Sequence, residues 1–386
     1  MCLLMKSLSK LVQALLILIF LSSISSFIYS FAFVATGVSA EAKSDQPAKG
    51  RKEADSLLKW KASLDNQSQS ILDSWVGSRP CNWVGVTCDT SGSITNLSLN
   101  HLGLRGTLHR FNFSAFANLL SLEISNNSLH GILPSLICNL SKIYLLDLSS
   151  NHLIGNIPSE IGSIPSSITN LGNLSILRLW GNKLSGFIPS EVGFLKSLKT
   201  LVLSSNVLSG PIPPSIGKLR ELSILYLLDN KLSGSIPHEL GMLSSLSEMS
   251  LQKNNLTGSI PTSIANLKNL SILYLWGNKL SGSIPSEIGF LQSLKELDLS
   301  SNALTGAIPS SIGNLRNLSI LALFDNKLSG SIPHEIGLLS SLSILSLQEN
   351  NLTGSIPSSI TNLGIYPFSD YGVTSFLVLY LQKLGS

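Results

Sequence analysis

Residues 297–309 read LDLSSNALTGAIP. Leu297 and Leu299 are one residue apart, and side chains two apart point the same way only in an extended strand, so both leucines turn inward and Asp298 turns out. Asn302 follows where the chain must turn. A buried amide there serves backbone donors and acceptors that no strand partner reaches, and losing it leaves groups unsatisfied at about 1–3 kcal/mol. Gly306 permits a left-handed backbone, and Ile308-Pro309 fixes the return segment in extended form. None of these roles is catalytic.

The same frame, LxLxxNxLxGxIP, recurs through the chain, for example at Leu177, Leu179, Asn182, Leu184, Gly186, Ile188 and Pro189. Its asparagines are Asn127, Asn151, Asn182, Asn206, Asn230, Asn254, Asn278, Asn302, Asn326 and Asn350, and all intervals but one are 24 residues. Such a period means a stack of coils with no single globular core. Stacking sets the short strands side by side, about 4.8 Å apart, in a parallel sheet. About eleven coils then span roughly 50 Å. A longer repeat overlies the short one, since SILRLWGNKLSG from Ser175 returns as SILYLWGNKLSG from Ser271, 96 residues on. The irregular interval, between Asn151 and Asn182, holds seven extra residues. It reads as a duplication junction, expected to bulge from the convex or flanking side with the sheet unbroken.

Composition fits an exported chain. Lys6 and Lys10 precede the apolar run from Leu11, and Val38-Ser39-Ala40 offers a cleavage site, so residues 1–40 read as a signal peptide or signal anchor. Removing them lowers the net charge from +4 to +2, which points to neither nucleic acid nor an acidic surface. Residues 41–52, with Lys49, Arg51 and Lys52, read as a polar linker. Glycosylation triplets occur at Asn66, Asn96, Asn112, Asn126, Asn139, Asn173, Asn255, Asn269, Asn317 and Asn351.

From Ile94 to Leu363 the chain resembles the plant-type leucine-rich repeat family, whose consensus carries the same LxGxIP return. Residues 53–90, with Leu57, Leu58, Trp60, Trp75 and the run Cys81-Asn-Trp-Val-Gly-Val-Thr-Cys88, resemble the amino-terminal cap of plant leucine-rich repeat receptors. An open solenoid end exposes apolar core and unpaired strand, so a cap is physically required. The resemblance implies a helix over Ala54–Ser63 and a Cys81–Cys88 disulfide. A zinc site is the other reading of the two cysteines, and it lacks a second ligand pair. Cys138 is left over and reads as a small apolar residue of its coil. The fold class implied is an α/β repeat, a right-handed solenoid with a concave parallel β-sheet, with repeats over 91–364. Residues 365–386 lose the frame and read as a degenerate or truncated final repeat, with Leu377, Leu379 and Leu381 as a possible last strand.

Function falls to the outward strand positions, which form one continuous face. Coils bearing Arg178 and Trp180, then Tyr226, then Tyr274 and Trp276, then Phe324, alternate with mostly polar coils such as Glu248, Ser250 and Gln252. Aromatics in register with polar surroundings make recognition patches, so these side chains are expected to be exposed and to bind a ligand. Trp180 and Trp276 are four coils apart, roughly 19 Å, the reach of an extended peptide of about six residues. Asp229, Lys253, Asp325 and Glu349, just after the strands, are placed to fix its register.

In the family resembled, such ectodomains bind secreted peptides or partner receptors and signal to a cytoplasmic kinase. The sequence shows no kinase motif and no apolar span after the repeats, so it reads as a receptor ectodomain truncated before both. Some members hold a ligand carboxylate with paired arginines; here Arg178 stands alone. Membrane attachment would come only through an uncleaved leader or a missing carboxy-terminal span. The alternatives are a soluble secreted inhibitor or decoy, and an inert receptor fragment. Catalysis and cofactors are not expected: His238-Glu239 and His334-Glu335 begin a zinc-protease pattern but lack the second histidine.

Overall fold

The computed structural model describes residues 48–161 and 171–363. The expected leader, residues 41–47 of the linker, the centre of the enlarged coil and the final irregular segment lie outside these residues.

Inward leucines build the core. Leu297, Leu299, Leu304 and Ile312, like their counterparts in other coils, are wholly buried. Each coil contributes a three-residue strand such as Glu296–Asp298, and among the described residues twelve strands form one sheet. The first, Val86–Cys88, runs antiparallel to Ile94–Ser98; from there to Ile344–Ser346 every neighbour is parallel. Register passes across the enlarged coil without a break, Leu146 pairing with Leu177 and Asp147 with Arg178.

The asparagines tie coil to coil. Asn302 donates from Nδ2 to the carbonyls of Leu275, Leu299 and Ser300 at 3.0–3.1 Å, while its Oδ1 accepts from the Leu280 amide at 3.0 Å. One side chain thus serves two coils. Gly306 sits at φ +76°, in the left-handed region that its lack of Cβ allows. A Pro such as Pro309, at φ −69°, then leads into a short 3-10 turn, Ser310–Asn314. The return segments, expected only to be extended, also pair: Ser281–Ser283, Ala303–Gly306, Lys327–Ser331 and Asn351–Thr353 make one of three smaller parallel sheets among the described residues.

The cap is more elaborate than the sequence suggests. Its helix runs Ala48–Lys61, beginning inside the stretch expected as linker, and a second helix, Asn66–Ile71, follows. The Asp65 side chain caps the second helix by accepting from the Ser68 amide at 2.8 Å, and hydrogen bonding from the Ser68 side chain, then from that amide, holds its carboxyl below the usual value. Trp75 stacks on Trp83 at 5.6 Å, and Trp60 meets Trp75 and Phe111 at 6.2 and 5.2 Å. Glu53, fully buried, accepts from the Ile94 amide at 3.0 Å, tying the helix to the start of the parallel sheet. Cys81 and Cys88 are disulfide-bonded, pinning the antiparallel edge strand. Cys138 is a buried free thiol, its pKa pushed up to about 12 by burial and then by the charge of Glu160.

Candidate functional site

Because leucines are committed inward, the residues that alternate with them on each strand share the outward face of the large sheet. Register places Arg178, Val202, Tyr226, Ser250, Tyr274, Asp298, Ala322 and Ser346 in one row across it. Trp180 and Trp276 follow two residues after Arg178 and Tyr274. Asp229, Lys253, Asp325 and Glu349 are exposed at the next turn, each with a left-handed backbone at φ +53° to +55°. Gly181 and Gly277 occupy that same repeat position, at φ +66° and +65°.

The exposure expected of the aromatic row needs correction. Trp180 is exposed at 39%, but Tyr274, Trp276 and Phe324 are at 8, 8 and 3%. For three of the aromatics, contacts between coils engage the ring. The Tyr226 hydroxyl donates to Glu248 and the Tyr274 hydroxyl to Glu296, each one coil on. Burial, and then the charge of the carboxylate each one meets, pushes both phenol pKa values far up. The Lys253 ammonium lies over the Trp276 ring at 5.2 Å. Arg178 is likewise engaged, Nη1 standing 3.5 Å from Asp147 Oδ2.

Sequence reasoning placed Glu248, Glu296 and Asp298 on the outward face without assigning them a role, and did not single out Asp147; these residues hold or neighbour the groups above. A signal existed: Tyr226 and Tyr274 each have a glutamate 22 residues on, the offset that joins adjacent coils diagonally. Asp298 is the least ordinary of the four. Its Oδ1 accepts from Ser300 N at 2.9 Å and Ser300 Oγ at 2.5 Å. Burial raises its pKa to about 6 against the lowering effect of those bonds.

His238 and His334 pair with the adjacent Glu239 and Glu335 as exposed copies at the start of their turns. Among the described residues no group of three His, Cys, Asp or Glu side chains could hold a metal, and no helix is long and apolar enough to cross a membrane.

A leucine-rich repeat N-terminal domain matches residues 51–89. Leucine-rich repeats match 118–140, 142–171, 173–195, 197–219, 245–267, 269–291 and 292–352. The leucine-rich repeat receptor-like serine/threonine-protein kinase RGI4 of Arabidopsis thaliana is 37% identical over 107 residues, 27% of this chain and 10% of its own length. The match thus spans only about a tenth of that relative.

Among solved structures, that of PEPR1–AtPEP1 superposes with TM-score 0.72 and 35% identity, covering 81% of this chain and 47% of that one. The Arabidopsis receptor kinase HAESA in complex with the peptide hormone IDA and the co-receptor SERK1 gives 0.66 and 35%, covering 80 and 55%. A plant ice-binding protein gives 0.59 and 30%, covering 80% of this chain and 89% of that one.

Proposed function

The chain belongs to the leucine-rich repeat family, and from that premise we propose that it is the extracellular recognition module of a plant receptor-like protein, binding a secreted peptide along the outward face of its large sheet. The observation that carries this reading is the unbroken register from Asp147 to Ser346, which gives an extended ligand one continuous track. Trp180, open at one end, is the anchor, and the acidic positions from Glu248 to Glu349 supply register. Structures similar to this one hold peptide hormones, in one case with a co-receptor as well. The module itself performs no chemistry.

A pool of synthetic secreted-type peptides carrying a photo-cross-linker tests it. Cross-links should fall on outward positions between Arg178 and Gln348, and Trp180→Ala with Trp276→Ala should weaken the captured peptide at least tenfold. Cross-links confined to the return sheets, or affinity unchanged in the double variant, would overturn the reading.

One observation favours a second role. The return sheets set exposed hydroxyls in register, Ser235 with Thr257, Ser283 with Thr305 and Ser331 with Thr353, and a plant ice-binding protein of this fold is covered over 89% of its length. On that reading the hydroxyl rows bind ice. Inhibition of ice recrystallisation, lost on changing Thr257, Thr305 and Thr353 to Lys, would support it; an inactive parent protein would end it.

A further inference from the structure

Two aspartates on the large sheet form the same hook. Asp147 Oδ1 accepts from Ser149 N at 3.0 Å and Ser149 Oγ at 2.5 Å. Asp298 Oδ1 accepts from Ser300 N at 2.9 Å and Ser300 Oγ at 2.5 Å. Each is the last residue of its strand, and both are buried, at 8 and 3% exposure. The hooks differ in what the next strand places opposite. Asp147 faces Arg178, whose guanidinium stands 3.5 Å from Oδ2. Asp298 faces Ala322, and among the described residues no cation is within ion-pairing distance of it.

We propose that the Asp298 hook is the ligand's arginine site, a guanidinium from the bound peptide taking the place that Arg178 takes over Asp147. The chain thus displays its own bound state six coils earlier. Several features favour this over an idle carboxylate. Both Ser300 bonds fall on Oδ1 of Asp298 and leave its second oxygen unoccupied by them. Neighbouring Glu296 is already engaged by the Tyr274 hydroxyl and does not compete. Trp276 and Phe324 stand at the following outward position on the two flanking coils, both largely buried, a low-polarity setting that strengthens a carboxylate–guanidinium pair. Around them Glu248, Asp325 and Glu349 make this half of the face acidic, and Lys253 is occupied over Trp276. Burial holds Asp298 partly against its charge, with a pKa of about 6, and an incoming cation relieves that penalty.

This rests on the face being the ligand track, and the test separates the two. The probe is the blocked pentapeptide Ac-GGRGG-amide against its citrulline counterpart, which keeps the shape and loses the charge, read by saturation-transfer NMR at pH 7.5. The intact protein should bind the arginine peptide at least fivefold more tightly. Asp298→Asn, near isosteric and able to keep both Ser300 bonds, should erase that preference. Ala322→Arg should also erase it by filling the hook from within, and Arg178→Ala should open a second equivalent site at Asp147.

Equal binding of the two peptides by the intact protein, discrimination surviving in Ala322→Arg, or a single site in Arg178→Ala would each overturn the proposal. A melting curve checks that each variant folds, and Asp298→Asn decides if Ala322→Arg does not. If library peptides still cross-link to the face while arginine and citrulline bind alike, the arginine site alone fails. If discrimination persists and cross-links fall elsewhere, the peptide track alone fails.

Discussion

A single amide does the work of four backbone partners at each coil, which makes the asparagine unlike any isosteric replacement. Asn302→Asp would still accept from the Leu280 amide but could no longer donate to Leu275, Leu299 and Ser300, and would set a charge against three carbonyls. Asn302→Ala orphans the same groups without adding charge, costing about 2–4 kcal/mol for more than one unsatisfied partner. Asn302→Asp should therefore be the worse of the two at pH 7.5, by urea midpoint; equal midpoints would show the donor side to be idle. Asp298 gives a pH dependence of definite sign. Its carboxyl holds its proton to about pH 6 when folded, against an ordinary value of 3.8, so the contribution is fully present below pH 4 and is lost as pH rises through 6. Asp298→Asn should thus gain stability over the parent at pH 7.5, on the order of 2–3 kcal/mol, and none at pH 3.5. Urea midpoints at the two pH values read this directly, and a gain independent of pH would refute it.

At the scale of elements, what the sequence reveals depends on whether side chains or backbone decide. Leu297 and Leu299 declare a strand because burying both on one side requires period two, and Asn302 and Gly306 declare the turns because few other residues satisfy them. The return sheets were illegible, since Ser281-Gly282-Ser283 pairs through its backbone and shows no apolar alternation. Nor could the left-handed turn before each amide be read, because Asp229, Lys253 and Glu349 do not announce it; only Gly181 and Gly277 hint at it. Burial of Tyr274 depends on a contact between coils, as does its bond to Glu296, so counting along one strand finds the ring but not its seat. The cap is an element whose failure should stay local, since each coil leans chiefly on its neighbours. Reducing the Cys81–Cys88 bond, a short closure worth roughly 2–3 kcal/mol, releases the Val86–Cys88 strand from the sheet edge. Hydrogen exchange should then speed up across Ile94–Ser98 and leave Ile272–Tyr274 unchanged. Uniform acceleration would mean that the solenoid unfolds as one unit.

The whole face is a duplicated block whose copies have diverged in charge. In the first copy Arg178 neutralises Asp147, and the outward positions Thr200, Val202 and Ser204 that follow carry no charge. In the second, Tyr274 stands where Arg178 stood, and Glu296, Asp298, Asp325 and Glu349 follow with Ala322 among them. A ligand meeting this surface feels an apolar, aromatic entrance at Trp180 and a negative field toward Glu349. Fields of this kind act mainly on encounter, because exposed charges steer diffusion while adding little to the final contact. Association of the arginine-bearing probe peptide should accordingly slow about tenfold between 50 and 500 mM salt, as screening shortens to a few ångströms. The citrulline probe should not respond. Asp325→Lys with Glu349→Lys, both exposed and outside the Asp298 hook, should reproduce the slowing at low salt while changing dissociation by less than about twofold. Stopped-flow fluorescence from Trp276, on the coil next to Asp298, follows both rates. If the double variant instead speeds dissociation and leaves association alone, these carboxylates touch the bound ligand, and the division into an attracting field and a single anchoring aspartate is wrong.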